Sequence, residues 1–123
     1  MSGFSFKREE KIRKHSEYTV IYKKGAKKES HYFKIAVLPN NLRWRRFGLT
    51  VSKRIGNAVQ RNYVKRRLRE YCRLNKENLP ESSDIVVTAK QGAQKLTYAA
   101  MCTELNLLLC PHAQGPATGP AGN

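Results

Sequence analysis

Thr50-Val51-Ser52-Lys53-Arg54-Ile55-Gly56-Asn57-Ala58-Val59-Gln60-Arg61-Asn62-Tyr63-Val64-Lys65-Arg66-Arg67-Leu68-Arg69-Glu70 is the stretch whose reading decides the fold. It joins the end of a strand to a long helix through a basic turn. Upstream, Arg46 to Ser52 puts Phe47, Leu49 and Val51 on one face and Gly48 and Thr50 on the other, the two-residue period of a strand. From Asn57 to about Asn78 the period becomes helical, with Val59, Tyr63, Val64, Leu68, Tyr71 and Leu74 on one side, and Leu79-Pro80 ends it. Arg61, Asn62, Lys65, Arg66, Arg69 and Arg73 cluster within about 140° on the opposite side. Arg67 projects toward the apolar side, where it would have to snorkel, and receives no direct role.

That spacing stacks guanidinium and ammonium donors along one helix face. Arginine predominates, and its planar fork suits bidentate phosphate contact better than the point charge of lysine. Gly56 permits a tight turn where the helix begins and lets another backbone come close. The amides of Asn57 and Ala58 would point outward there, at the positive end of the helix dipole, where a phosphate fits. A merely solvated helix face would mix acids with bases at i,i+4 spacing, yet only Glu70 supplies the opposite charge. The pattern favours a nucleic-acid footprint over a solvated face.

Working outward, Ser16 stands as an N-cap before a short helix over residues 17–24, stopped by Gly25. His31 to Leu38 alternates, with Phe33, Ile35 and Val37 opposite Tyr32, Lys34 and Ala36, and ends at Pro39-Asn40-Asn41. This strand and the one over 46–52 are expected to pair as an antiparallel hairpin across the 39–45 loop, which carries Trp44. Ile85-Val86-Val87-Thr88-Ala89 is short, apolar and β-branched, as in a buried central strand. Thr97 can cap a last helix whose stripe of Tyr98, Met101, Cys102, Leu105, Leu108 and Leu109 is a core face. Residues 1–110 read as a single RNA-binding α/β domain with a basic N-terminal segment over 1–15. Residues 111–123, rich in Gly, Pro and Ala, read as a disordered tail.

The 123 residues carry 24 Lys plus Arg against 9 Asp plus Glu, a net charge of +15. Residues 1–73 hold 21 basic and 5 acidic side chains, whereas 74–123 hold 3 and 4. So strong an imbalance repels itself in the folded chain and calls for a polyanionic partner bound by the first three fifths. No apolar run is long enough to span a bilayer, and the N-terminus lacks the apolar core of a secretory signal, so a cytoplasmic protein is expected. Cys72, Cys102 and Cys110 form neither an even set nor a CxxC pair, which speaks against a disulfide framework or a zinc site.

The string from Ser52 to Glu70 resembles the signature of the protein subunit of bacterial ribonuclease P, with its basic strand end, Gly, Ala-Val, Arg-Asn and Lys-Arg in register. An aromatic-bearing first helix ending in Gly, a Phe-containing strand and Leu96-Thr97-Tyr98 after a late strand agree with it, so the likeness spans roughly residues 10 to 109. The resemblance implies an α/β two-layer sandwich in the order α-β-β-β-α-β-α. Its central mixed sheet would have about four strands and a left-handed crossover, like the second domain of ribosomal protein S5. A third short strand near Ala26 to Ser30 is implied by the family pattern alone. Implied too are a catalytic RNA as partner, precursor tRNA as substrate, and Mg²⁺ acting through the RNA, with no protein-bound cofactor. No obligate protein partner is evident.

Carried over by motif position, Lys53, Arg54, Gly56, Arg61, Asn62, Lys65, Arg66 and Arg69 would face the RNA subunit. Tyr18, Tyr22, Phe33 and Lys90 would line a cleft for the 5′ leader, and Gln91 stands where the family often has a further basic residue. From spacing alone, Tyr18 and Tyr22, four residues apart, favour the packed face of a short helix, and only the resemblance turns them toward a stacking surface. No residue is assigned to catalysis: the chain has no paired carboxylates and no Ser/His/Asp set, and its three histidines stand in unrelated contexts. The chemistry of leader removal then belongs to the RNA. A purely structural RNA-binding protein, such as a ribosomal component, is the alternative, and a second surface for single-stranded RNA is what separates the two. Membrane-surface binding would need apolar residues free for lipid, and here the core requires them.

Overall fold

The computed structural model describes residues 10–109. The Gly/Pro/Ala-rich tail, Cys110 and the first nine residues of the basic segment lie outside them. In chain order the elements are α1 (His15–Lys24), β1 (Ala26–Glu29), β2 (Phe33–Pro39), β3 (Arg46–Val51), α2 (Ala58–Leu74), β4 (Ser83–Ala89) and α3 (Tyr98–Leu109). This is the order the resemblance implies. Among the described residues no helix is long and apolar enough to cross a membrane.

The sheet runs β1-β2-β4-β3, with β2 antiparallel to both β1 and β4, and β3 parallel to β4. The expected β2–β3 hairpin is therefore corrected: β4 lies between the two strands. The physical reason is burial. Ile85, Val86 and Val87 are all 0% exposed, and only a central position covered on both faces accepts three consecutive apolar residues. The 39–45 loop instead arches over the start of β4, at Ser83 and Asp84, spanning two strand spacings, about 10 Å. Asn40 anchors it, its amide N–H donating to the Ser82 carbonyl at 2.9 Å.

Strand alternation divides the interior. Phe33 and Ile35 of β2, Phe47 of β3, and Ile85, Val87 and Ala89 of β4 face α2 and α3, where they meet Val64, Leu68, Tyr71, Met101 and Leu105. Ala36 and Val86 face the other way, onto Ile21 of α1 and Ile12, flanked by Tyr18 and Tyr22. Gly48 of β3 also faces α1, and a Cβ there would lie 2.7 Å from the Tyr18 ring.

Several boundaries differ from expectation. The first helix begins at His15, so Ser16 lies inside its first turn. The long helix ends at Leu74 and continues as a separate 3₁₀ turn, Lys76–Asn78. Val59 is 76% exposed, because five residues place it about 140° around the helix from Val64. Thr97 does cap α3, accepting from the Ala100 amide at 3.1 Å.

One polar group joins the two layers at the start of β3. The Arg46 guanidinium donates to both oxygens of buried Asp84, at 2.7 and 2.6 Å, and to Glu17 of α1 at 3.1 Å. Asn40 Nδ2 donates to Asp84 at 2.9 Å. Burial pushes the Glu17 carboxyl up, but hydrogen bonds from Arg46 and the Lys14 backbone outweigh it and hold the group below its ordinary value. Arg46 is correspondingly held in its charged form by Asp84, against a smaller cost of burial. Removing one partner of such a pair leaves the other charged and short of contacts. Asp84→Ala should therefore lower the unfolding free energy by about 3 kcal/mol, toward the low end for a broken buried pair, and Asp84→Asn should lose less. Urea unfolding of the two variants checks this, and a loss below about 1 kcal/mol for Asp84→Ala, no more than an exposed pair contributes, would remove the group from this role.

Candidate nucleic-acid interface

The strand-to-helix junction is built by two short motifs. After β3, Ser52 caps a 3₁₀ turn over Lys53–Ile55, its hydroxyl accepting from the Arg54 amide at 3.2 Å. Ile55 is buried and pins that turn to the core while Lys53 and Arg54 stay exposed. Gly56 follows at φ +150°, and a Cβ there would lie 1.8 Å from Gln60 Oε1. Asn57 then caps α2: its side chain accepts from the Gln60 amide at 2.9 Å while Gln60 Oε1 accepts from the Asn57 amide at 3.1 Å. This reciprocal box corrects the expectation of an outward-pointing Asn57 amide, since the Gln60 side chain occupies it.

The helix presents its charges unequally. Asn62, Arg66 and Arg69 are exposed on the outer face, and Lys65 is half-buried at its margin. Arg61 lies nearer the sheet, where its Nη1 donates to the Gly56 carbonyl at 2.7 Å. That bond fixes the junction as much as it displays a charge. Arg67 is exposed rather than snorkelling into the core, its guanidinium 5.2 Å from the centroid of the Tyr63 ring. Spacing from the apolar stripe missed it, although Tyr63 four residues earlier was the available signal. Together Asn62, Tyr63, Arg66, Arg67, Arg69 and Glu70 line an open groove along α2 of about 690 Å³.

On the opposite side of the sheet, the other group of expected residues is only partly assembled. Tyr18 is half-buried, its ring against Gly48 and its hydroxyl donating to the Ile12 carbonyl at 3.2 Å. Burial, with smaller contributions from Tyr22 and Glu17, raises its pKa. The Tyr22 hydroxyl is hydrogen-bonded to Thr88 of β4, and the Lys34 ammonium sits 5.6 Å from the Tyr22 ring centroid. Lys90, two residues after Thr88, donates to Glu29 at 2.5 Å and to the Ser30 carbonyl at 2.8 Å. Phe33 is not brought to this face. It is 0% exposed among the residues packed against α2 and α3, because its odd register on β2 points away from α1.

Comparison with known proteins decides the lineage. The sequence profile of the family described as Ribonuclease P matches residues 6–111. The chain belongs to that family. The ribonuclease P protein component of Syntrophus aciditrophicus is 43% identical over 114 residues, covering 93% of this chain and 96% of that one. That of Syntrophobacter fumaroxidans is 40% identical over 117 residues, covering 94% and 98%. The RNase P protein of Thermotoga maritima superposes with a TM-score of 0.76 at 28% identity, over 83% of this chain and 96% of that one. A Staphylococcus aureus RNase P protein gives 0.74 at 33%, over 80% and 90%. Ribonuclease P is the endoribonuclease that matures the 5′ end of tRNA, and this family is its protein subunit, a partner of the RNase P RNA. A ribosomal component is thereby not favoured.

The Gly56 junction carries its own test. Any side chain at φ +150° is strained and would collide with the Gln60 carboxamide of the cap. Gly56→Ala should lower stability by about 1–3 kcal/mol, the range for strained backbone, and Asn57→Ala by about 1 kcal/mol through loss of the cap alone. Thermal unfolding of both variants measures the difference, and an unperturbed Gly56→Ala protein would contradict the junction geometry.

Proposed function

We propose that the outer side of α2 and its junction, with Lys53, Arg54, Gly56, Arg61, Asn62, Lys65, Arg66 and Arg69, docks the catalytic RNA, and that the α1 side of the sheet, with Tyr18, Tyr22, Lys34 and Lys90, holds the unpaired 5′ leader of precursor tRNA. The observation that carries this reading is the separation of two chemically different surfaces onto opposite layers. The α2 side is a row of exposed guanidinium groups suited to the phosphates of a structured RNA. The α1 side pairs aromatic rings with ammonium groups, which suits single-stranded RNA whose bases are free to stack. A cofactor that binds both a ribozyme and its substrate needs two such surfaces. A protein that only braces RNA needs one.

Catalysis in this reading belongs to the RNA. Among the described residues no three His, Cys, Asp or Glu side chains come together as metal ligands, and Mg²⁺ enters through RNA phosphates whose arrangement the docked protein stabilises. The work takes place in the cytoplasm, where precursor tRNA is met.

Two measurements test the two surfaces separately. Each phosphate contact removed reduces the salt dependence of binding by roughly 0.7–0.9 in log–log slope. The Lys65, Arg66 and Arg69 triple alanine variant should therefore bind the RNA subunit with a slope flatter by about 2, and an unchanged slope in a folded variant excludes the assignment. On the other side, Tyr22→Ala should weaken precursor tRNA binding to the assembled enzyme by about 1–3 kcal/mol, the contribution of one stacked base. Mature tRNA should be almost unaffected. Equal losses for the two, accompanied by a lower Tm, would mean that Tyr22 only packs the core.

A further inference from the structure

Glu29 is an acid set among the cations of the α1 side. It ends β1, where it stands opposite Lys34 of β2, and Lys34 stands opposite Thr88 of β4. Directly opposed residues of an antiparallel pair share a face, and the Lys34 ammonium reaches the Tyr22 ring of α1. The rung therefore looks toward α1. Lys90, two residues after Thr88, keeps to the same side, and its ammonium donates to the Glu29 carboxylate at 2.5 Å. That hydrogen bond and the charge of Lys90, with a smaller attraction from Lys34, hold the Glu29 carboxyl below its ordinary value.

The other acids of α1 and the sheet are placed differently. Glu17 and Asp84 are both taken by Arg46 at the start of β3, where Asp84 is buried. The Glu29 side chain is 58% exposed, against 33% for Lys90. Lys90 is also held without it, since its Nζ donates to the Ser30 carbonyl at 2.8 Å and its amide to the Tyr32 carbonyl at 2.8 Å. The carboxylate can swing into solvent while the ammonium stays in place. An exposed pair of this kind contributes little to stability, and a phosphate offers the ammonium the same charge and the same kind of acceptor oxygen.

We propose that Glu29 is a competing anion built into the leader surface: it occupies Lys90 in the free protein, and a leader phosphate has to displace it. The inference rests on the reading of the α1 side as the leader surface, and it adds a residue that opposes binding there. An anion offering charge alone gains nothing at Lys90 over the carboxylate already present, whereas a leader brings a base to Tyr22 as well. Ring and ammonium are thereby engaged together.

The test uses the assembled enzyme, with precursor and mature tRNA titrated separately over a range of salt. Glu29→Gln keeps the size of the side chain and removes its charge. It should bind precursor tRNA roughly 2- to 5-fold more tightly, the range of an exposed ion pair, with a log–log salt slope steeper by up to about 0.7, because one phosphate contact is no longer offset. Mature tRNA should bind as it does to the parent. The gain should vanish when Glu29→Gln is added to Lys90→Ala. Glu77→Gln, in the 3₁₀ turn before β4, removes the same charge at a distance and should leave precursor binding at the parent value. The inference is overturned if folded Glu29→Gln binds precursor no better than the parent, as a residue that only ties β1 to β4 would. It is equally overturned if precursor and mature tRNA tighten alike, or if Glu77→Gln gives the same gain. The reading beneath it fails separately: were Tyr22→Ala and Lys90→Ala both to bind precursor as the parent does, the α1 side would not be the leader surface, and this inference would go with it.

Discussion

The architecture depends on a strand that must be covered twice. Ile85, Val86 and Val87 of β4 alternate between the two faces of the sheet and none is exposed, so neither face can be left to water. Covering one side takes α2 and α3, and covering the other takes α1 with the Ile12 segment. A chain this short has no further apolar element to spare, and its functional surfaces have to lie on the outsides of the helices and along the seams between helix and sheet. The separation of an arginine-lined α2 face from the Tyr18 and Tyr22 side follows from that burial.

The same constraint explains which parts of the fold were legible in the sequence. Long periodic segments such as α2 and α3, and the β-branched run of β4, announce themselves because burial demands a regular pattern. β1 does not: all four of its residues are exposed, so no apolar period marks it, and only resemblance to a family suggested a strand there. The supposed β2–β3 hairpin failed for a related reason. Alternation says which residues of a strand share a face and nothing about its neighbours, and β4 arrives from 38 residues further along the chain, judged by the Arg46–Asp84 register.

The candidate sites divide in the same way. Lys53, Arg54, Asn62, Lys65, Arg66 and Arg69 could be placed from sequence because they share one continuous turn and helix. Phe33 could not, since a two-residue register decides whether its ring meets α1 or α2, and the motif does not state which. Arg67 against Tyr63 was missed although the four-residue spacing announced it, because only the apolar stripe was read there. The approach of the Ile12 segment to β3 was not legible, since it depends on contacts between distant parts of the chain, among them the Ile12 amide donating to the Phe47 carbonyl.

Charge completes the argument. Because residues 10–73 gather most of the basic side chains, folding brings like charges together at a cost that grows as they approach. The structure limits that cost by pairing charges where elements meet. Arg46 is neutralised by Asp84 and Glu17, Lys76 by Glu10 at 2.7 Å, and Lys90 by Glu29. Arg61 is directed onto the Gly56 carbonyl. The acids are thus largely committed to seams between elements, while the outer side of α2 and the segment before α1 keep most of their cations unopposed. A protein optimised for stability alone would interleave acids there. Leaving them out sacrifices stability of the free chain in favour of a phosphate-bearing partner, whose binding relieves the repulsion and so stabilises the fold by mass action.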